Sequence, residues 1–186
     1  MFDEDIKIAR PNGRIKEKDE EETPDVSKEY DRESANGNIE KARSLGVLLA
    51  KEAVNKMGSF TMEDEQDGGI DMDVQRGLLM TFAATVALEK MTSSSVVSMA
   101  AKNSFNSEVE KLSPALYGAM GDSGAFSFYY LAYRRGTEIE RRIGQTFAML
   151  CSHDGDPVYQ ELGEAIYCWF YSLAGKRIAA SGLSQI

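Results

Sequence analysis

An acidic stretch, EDEQDGGIDMD at residues 63–73, has the residue types of a calcium-binding loop. An EF-hand loop needs oxygen ligands at positions 1, 3 and 5, glycine at position 6 and glutamate at position 12. In neither possible glycine register does a glutamate fall at the last position, where Val74 or Gln75 stands instead. We interpret the stretch as an interhelical loop whose Asp71 or Asp73 caps the next helix, and we expect no metal site.

The only histidine, His153, lies between Asp154 and Asp156 in the sequence SHDGDP. A zinc site takes three or four protein ligands, and a catalytic histidine needs a nucleophile or substrate group held near it. The chain offers no second histidine for either role. We therefore interpret this stretch as a turn followed by the N-cap Asp156 of a helix that begins at Pro157.

Motifs typical of nucleotide-binding and hydrolytic enzymes are absent. The sequence contains no GxGxxG, GxxxxGK[ST], GxSxG or HExxH, so it lacks the phosphate cradle, the nucleophile elbow and the zincin helix. Cys151 and Cys168 stand 17 positions apart, and we expect both to be small buried side chains in a reducing compartment. We predict no catalytic residue and no cofactor. An enzyme whose active site is assembled only by tertiary structure is the weakest alternative.

Four arginines lie within nine residues of an otherwise acidic chain: Arg134, Arg135, Arg141 and Arg142. Guanidinium groups bind carboxylate and phosphate through two parallel hydrogen bonds, and a helix starting at Thr137 would add backbone donors. The cluster is a candidate site for an anion or an acidic partner, and the chain's own Glu17–Glu22, from the same or another subunit, is a candidate ligand. Alternatively, the first pair complements a helix C-terminus and the second pairs with Glu138 and neighbouring acids.

Two predicted helices, 123–135 and 157–178, are rich in aromatic residues. Four of these residues form a candidate pocket or interface: Phe128, Tyr130, Tyr167 and Tyr171. Because aromatic residues occupy more than one face, either these helices are central in the fold, or one face lines a ligand pocket or a dimer interface.

The elements that position these residues are all predicted to be helical. Apolar residues recur at every third or fourth position from Ile39 onward, and no run alternates as a strand would. Besides the two aromatic helices, we predict helices at 38–57, from Val74 past Val86, at 96–112, from Pro114 to near Gly118, and along the stripe from Ile139 to Leu150. The fold class is therefore all-α, a compact bundle of five to seven helices.

Local signals predict helix ends and helix contacts. Asp122 or Ser123 should open the first aromatic helix and Gly136 should close it, while Thr137 and Glu140 match a capping box. Three glycines occupy the apolar stripes in helix interiors: Gly46, Gly144 and Gly163. Glycine costs about 1 kcal/mol relative to alanine in a helix interior. We therefore expect close helix crossings at these three positions.

The acidic charge is concentrated at the N-terminus. The chain has a net charge of −9, and residues 1–36 hold 12 acids and 7 bases with no sustained apolar period. We predict an acidic, largely irregular arm at 1–36, mobile or docked, and a single helical bundle domain at 37–186. The net charge disfavours nucleic acid as a partner. The chain offers no run long enough to span a membrane and no signal peptide, so we expect a cytoplasmic protein.

Taken together, these patterns favour an interaction protein without evident catalytic activity, with itself as the expected partner in a homo-oligomer. The alternative is a helical domain that senses or sequesters a small molecule in a pocket between helices 123–135 and 157–178. An enclosed cavity of several hundred Å³ would favour the second class. A filled interior beside an apolar surface patch would favour the first.

Overall fold

The computed structural model describes residues 26–58, 72–122 and 124–185. Within these residues the chain forms eight helices and no strand, which confirms the all-α prediction. The helices are α1 Val26–Ala35, α2 Asn38–Met57, α3 Met72–Met91, α4 Ser95–Leu112, α5 Pro114–Asp122, α6 Ala125–Arg134, α7 Ile139–Leu150 and α8 Pro157–Ala180.

The extra helix, α1, lies where the sequence predicted an irregular arm. It packs against α2 and α4. Its Glu33 is buried and accepts a hydrogen bond from Asn38 Nδ2, at the start of α2, at 2.6 Å. Residues 26–35 are therefore helical where the sequence predicted a largely irregular chain, and α1 is docked on the bundle, which is one of the two alternatives predicted for the arm. Its remaining part, 1–25, lies outside the described residues.

Helix α3 is the centre of the bundle. It packs against α2, α4, α5, α6, α7 and α8. Every residue from Gly77 to Leu88 except Thr85 is buried, because neighbours surround the helix on all sides. A helix buried all round has no single apolar stripe, so its apolar run reads as continuous. This explains the stretch LLMTFAATVAL at 78–88.

The predicted close helix crossings are confirmed. A β-carbon at Gly46 in α2 would overlap the backbone of Ala101 in α4, and one at Gly144 in α7 would overlap the backbone of Gln160 in α8. At Gly163 in α8 it would lie 2.6 Å from Cβ of Phe147. Helices α2 and α4, and helices α7 and α8, therefore pack backbone against backbone.

Some of the predicted helix ends are confirmed. The side chain of Asp156 accepts a hydrogen bond from the Val158 amide at 2.8 Å at the start of α8. Gly136, with φ of 74°, follows the end of α6 in the left-handed conformation.

Two predicted N-caps are wrong. Asp122 ends α5, and Gly124 stands at the N-cap of α6. Glu138, with φ of 49° and no side-chain capping bond, stands at the N-cap of α7, so Thr137 and Glu140 form no capping box. The chain turns left-handed at Gly136 and Glu138, which moves the helix start by one residue.

After α8, the chain returns to the junction between α3 and α4. The Ser93 amide donates to the carbonyl oxygen of Leu183 at 2.8 Å, and the Gln185 amide donates to that of Met91 at 2.9 Å. Leu183 is fully buried. These contacts join residues 183–185 to residues 91–93.

Candidate functional site

Three of the four predicted aromatic site residues belong to one cluster around Phe82 of α3. The ring centroids of Tyr130 and Tyr167 lie 5.1 and 6.4 Å from that of Phe82. Tyr171 stacks on Tyr167 with centroids 5.6 Å apart. Tyr167 is buried, and Tyr130 and Tyr171 are partly buried. The structure thus places these tyrosines at the inner side of α6 and α8.

Hydroxyl groups in this cluster stay protonated at neutral pH. Burial, followed by the nearby carboxylate of Glu89, raises the pKa of Tyr130 to about 12. The Tyr130 hydroxyl donates to Glu89 Oε1 at 3.4 Å, and Lys102 Nζ pairs with the same oxygen at 2.8 Å. Burial also raises the pKa of Tyr167, with a further contribution from Tyr171. These phenols can donate hydrogen bonds but are not bases at pH 7.

A groove between α6 and α7 is the feature that brings several predicted site residues together. Its volume is about 270 Å³. Its lining residues are Phe128, Leu131, Ala132, Arg135, Arg142, Gln145, Thr146, Met149 and Asp154. Three of them, Phe128, Arg135 and Arg142, were candidate site residues in the sequence.

The groove has an exposed apolar wall. Phe128, Leu131 and Met149 are 46%, 61% and 40% exposed. Phe128 and Leu131 are three residues apart on α6 and therefore share a helix face. The opposite face of α6 carries Tyr129, which is buried against Phe82. Helix α6 thus turns one aromatic face inward and leaves a second apolar face uncovered among the described residues.

Arginines supply the charged part of the groove. Arg142 donates through Nε to the carbonyl oxygen of Thr137 at 2.9 Å, and this hydrogen bond holds the Nε end of its guanidinium group in place. Among the described residues, no carboxylate forms an ion pair with Arg135 or Arg142, although Asp154 lies on the same groove. Their remaining N–H groups are donors for an external acceptor.

The other two arginines have different positions. Arg141 pairs with Glu138 at 3.3 Å on the surface, as the alternative interpretation of the cluster expected. Arg134 is exposed in the last turn of α6, and neither side chain lines the groove. The structure therefore divides the predicted cluster of four into two arginines at the groove and two outside it.

His153 takes part in a turn contact. Its ring stacks on that of Tyr159 with centroids 3.7 Å apart and planes within 6°. Among the residues that the structure describes, no group of three or more His, Cys, Asp or Glu side chains could hold a metal ion. Residues 63–71 of the acidic stretch lie outside that part of the chain. Asp73 lies in the first turn of α3, where its carboxylate pairs with Arg76 at 3.2 Å, so it is not the N-cap.

Leu131 and Met149 were not among the site residues predicted from the sequence. The available signal was spacing: Leu131 follows Phe128 by three residues, and Met149 falls off the buried stripe of Ile143 and Phe147. An apolar residue off the buried stripe indicates surface exposure. Predicting that the two would share one groove requires the packing of α6 against α7, which the sequence pattern does not give.

A second depression lies between α2 and α8. Its volume is about 560 Å³, and its lining includes Leu45, Leu48, Lys41 and Arg177. Here Arg177 is paired with Glu52 at 2.5 Å, which further raises the pKa of the guanidinium group. Of the two cationic side chains that line this depression, Arg177 is therefore already paired with an acidic residue of the chain.

Comparison of the chain with protein-family models, with curated proteins and with solved structures finds no match. Within the described residues, no helix has the combination of length and hydropathy that crossing a bilayer requires. A functional interpretation therefore depends on the chemistry of the surfaces described above.

Proposed function

We propose that this protein is a non-enzymatic interaction protein that associates with a second copy of itself, and that the groove between α6 and α7 is part of the contact surface. The observation that carries the proposal is the exposure of Leu131, 61%, beside Phe128 and two arginines without an ion-pair partner among the described residues. An exposed apolar patch with a polar rim is typical of a protein-binding surface.

The size of the groove supports a protein ligand. Pockets for small molecules have volumes of about 300–1,000 Å³ and bury most of the ligand. A groove of about 270 Å³ is below that range and matches a few side chains of a docked polypeptide. Aromatic and arginine side chains are the residue types that contribute most to such contacts.

Sedimentation velocity over a wide concentration range tests the proposal. The wild-type chain should associate with increasing concentration, and Leu131→Gln should shift the equilibrium towards monomer. Met99 in α4 is 58% exposed and lies outside the groove lining, so Met99→Gln is a matched control that should leave association unchanged. Glutamine and the two replaced residues have similar helix propensities. A wild-type chain that is monomeric at every concentration would contradict the proposal.

A small-molecule ligand in the depression between α2 and α8 is the second candidate function. Its volume of about 560 Å³ lies within the range of small-molecule pockets. Leu45 and Leu48 give it an apolar floor, and Lys41 supplies a cation. Native mass spectrometry of the purified protein should then show an added mass that is lost in Leu48→Trp, which fills the depression. The bare polypeptide mass in both proteins would exclude a retained ligand.

A further inference from the structure

We infer that the acidic block Glu17–Glu22 of one copy binds the groove between α6 and α7 of a second copy, an inference that rests on the proposed function. The block has the sequence EKDEEE, with five carboxylates in six residues. The groove presents Arg135 and Arg142, and those of their N–H donors that have no acceptor among the described residues match carboxylate oxygens. Arginine binds carboxylates through two parallel hydrogen bonds, which sets direction as well as affinity.

Charge complementarity favours this segment as the ligand. Residues 37–186 carry 18 acids and 14 bases, whereas residues 1–36 carry 12 acids and 7 bases in a quarter of that length. The bundles of two copies both carry a net negative charge, so they have no net electrostatic attraction for each other. A short acidic segment can reach the arginines while the two bundles remain separated by a greater distance. Asp154 also lines the groove, and because like charges repel, it limits where the carboxylates of the acidic block can lie.

Apolar residues near the block complement the apolar wall of the groove. Ile15 lies two positions before the start of the acidic block at Glu17, and Ile6 and Ile8 lie further towards the N-terminus. Phe128 and Leu131 line the groove together with the arginines. An isoleucine against these two side chains and carboxylates at the arginines would satisfy both parts of the groove. A peptide held by apolar anchors beside charge-assisted hydrogen bonds is a common mode of recognition.

Chain length limits how far the end of the block at Glu22 can reach within its own copy. The block ends at Glu22, four residues before α1 begins, and an extended chain spans at most about 3.6 Å per residue, or about 14 Å for four residues. Helix α1 packs against α2 and α4, whereas the groove belongs to α6 and α7, which pack on each other and on α3. Reciprocal exchange of the two segments gives a closed dimer with twofold symmetry.

Three full-length variants test the inference by sedimentation velocity. The groove variant carries Arg135→Glu and Arg142→Glu, the block variant carries Glu20→Lys, Glu21→Lys and Glu22→Lys, and the swap variant carries all five changes. The groove variant and the block variant should each raise the dimer dissociation constant about tenfold or more, because charged hydrogen bonds are lost. The swap variant should restore most of the affinity, since opposite charges face each other again.

A mixture of the two defective variants tests exchange between copies. The groove variant keeps a native acidic block and the block variant keeps a native groove, so a mixed dimer has one native contact and a second contact in which the reversed block faces the reversed groove. The mixture should associate more strongly than either variant alone. Arg141→Glu, whose side chain lies outside the groove lining, is the control and should leave the dissociation constant unchanged.

Failure of the inference can be told apart from failure of the proposed function. A dimer that tolerates both charge-reversal variants but is weakened by Leu131→Gln would overturn the acidic block as ligand and leave the groove as the contact surface. A swap variant no tighter than its two parents, or a mixture no tighter than its components, would likewise overturn the inference. A wild-type monomer at every concentration would overturn both.

Discussion

Gly46 of α2 faces Ala101 of α4 so closely that a β-carbon at position 46 would overlap the Ala101 carbonyl oxygen. The obstacle is backbone and not a flexible side chain, so the two helices would have to separate to admit a methyl group. Overpacking of this kind typically costs about 1–3 kcal/mol. We predict that Gly46→Ala lowers the free energy of unfolding by that amount in urea titrations.

Gly118 provides the matched control for this substitution. It lies in the interior of α5, and a β-carbon there would meet nothing within 4 Å. The gain in helix propensity should then raise stability by up to about 1 kcal/mol. If Gly46→Ala stabilised the protein as Gly118→Ala does, the close crossing of α2 and α4 would be contradicted.

Asp156 begins the longest helix, α8, by accepting a hydrogen bond from the Val158 amide. Removing an N-cap side chain leaves a backbone donor without its acceptor and costs about 0.5–2 kcal/mol. We predict a loss of about 1 kcal/mol for Asp156→Ala in thermal or urea unfolding. Asp156→Asn should retain nearly all of the stability because asparagine caps equally well. Equal losses for the two variants would indicate a role of the charge instead of the cap.

Cys151 should make the protein less stable in alkali. Burial raises the pKa of its thiol from 9.0 to about 12, and the nearby Arg76 lowers it by a smaller amount. Above pH 9 the unfolded chain loses this proton while the folded chain keeps it, so the free energy of unfolding falls as pH rises. One such group contributes a slope of up to about 1.4 kcal/mol per pH unit.

The comparison that tests this is urea unfolding between pH 8 and 10 for wild type and Cys151→Ala. The variant should start less stable because it loses buried volume, but its stability should fall less steeply with pH. Cys168, which was expected from the sequence to be buried, is exposed in the structure, so Cys168→Ala should change the slope little. Identical slopes for the wild type and Cys151→Ala would show that this thiol is not protected in the fold.

Local sequence patterns predicted much of the fold. The α2 boundaries at 38 and 57, the proline-started helices at Pro114 and Pro157, and the glycine crossings follow from periodicity, capping and the helical cost of glycine. Helix α1 could not be predicted in this way. It packs on α2 and α4, and its buried carboxylate, Glu33, binds a residue of the next helix, whereas a charged residue in a polar stretch normally indicates solvent exposure.

The candidate site was only partly predictable for the same reason. Phe128, Arg135 and Arg142 were visible as unusual residues, but Tyr130 and Tyr167 looked equally suitable until the position of Phe82 in α3 was known. Which aromatic residues face inward depends on which side of α6 meets α3. Periodicity cannot decide this when a helix is apolar on two faces.

The contacts between residues 183–185 and 91–93 have a consequence for how the chain acquires its shape during synthesis. Contacts between residues so distant in sequence slow the search for the native state, because the entropy cost of closing the loop between them must be met first. On the ribosome, the junction between α3 and α4 must wait for almost the whole described chain to emerge. The nascent bundle would thus remain open at that corner until translation reaches Leu183, and its completion would be a late event in biogenesis.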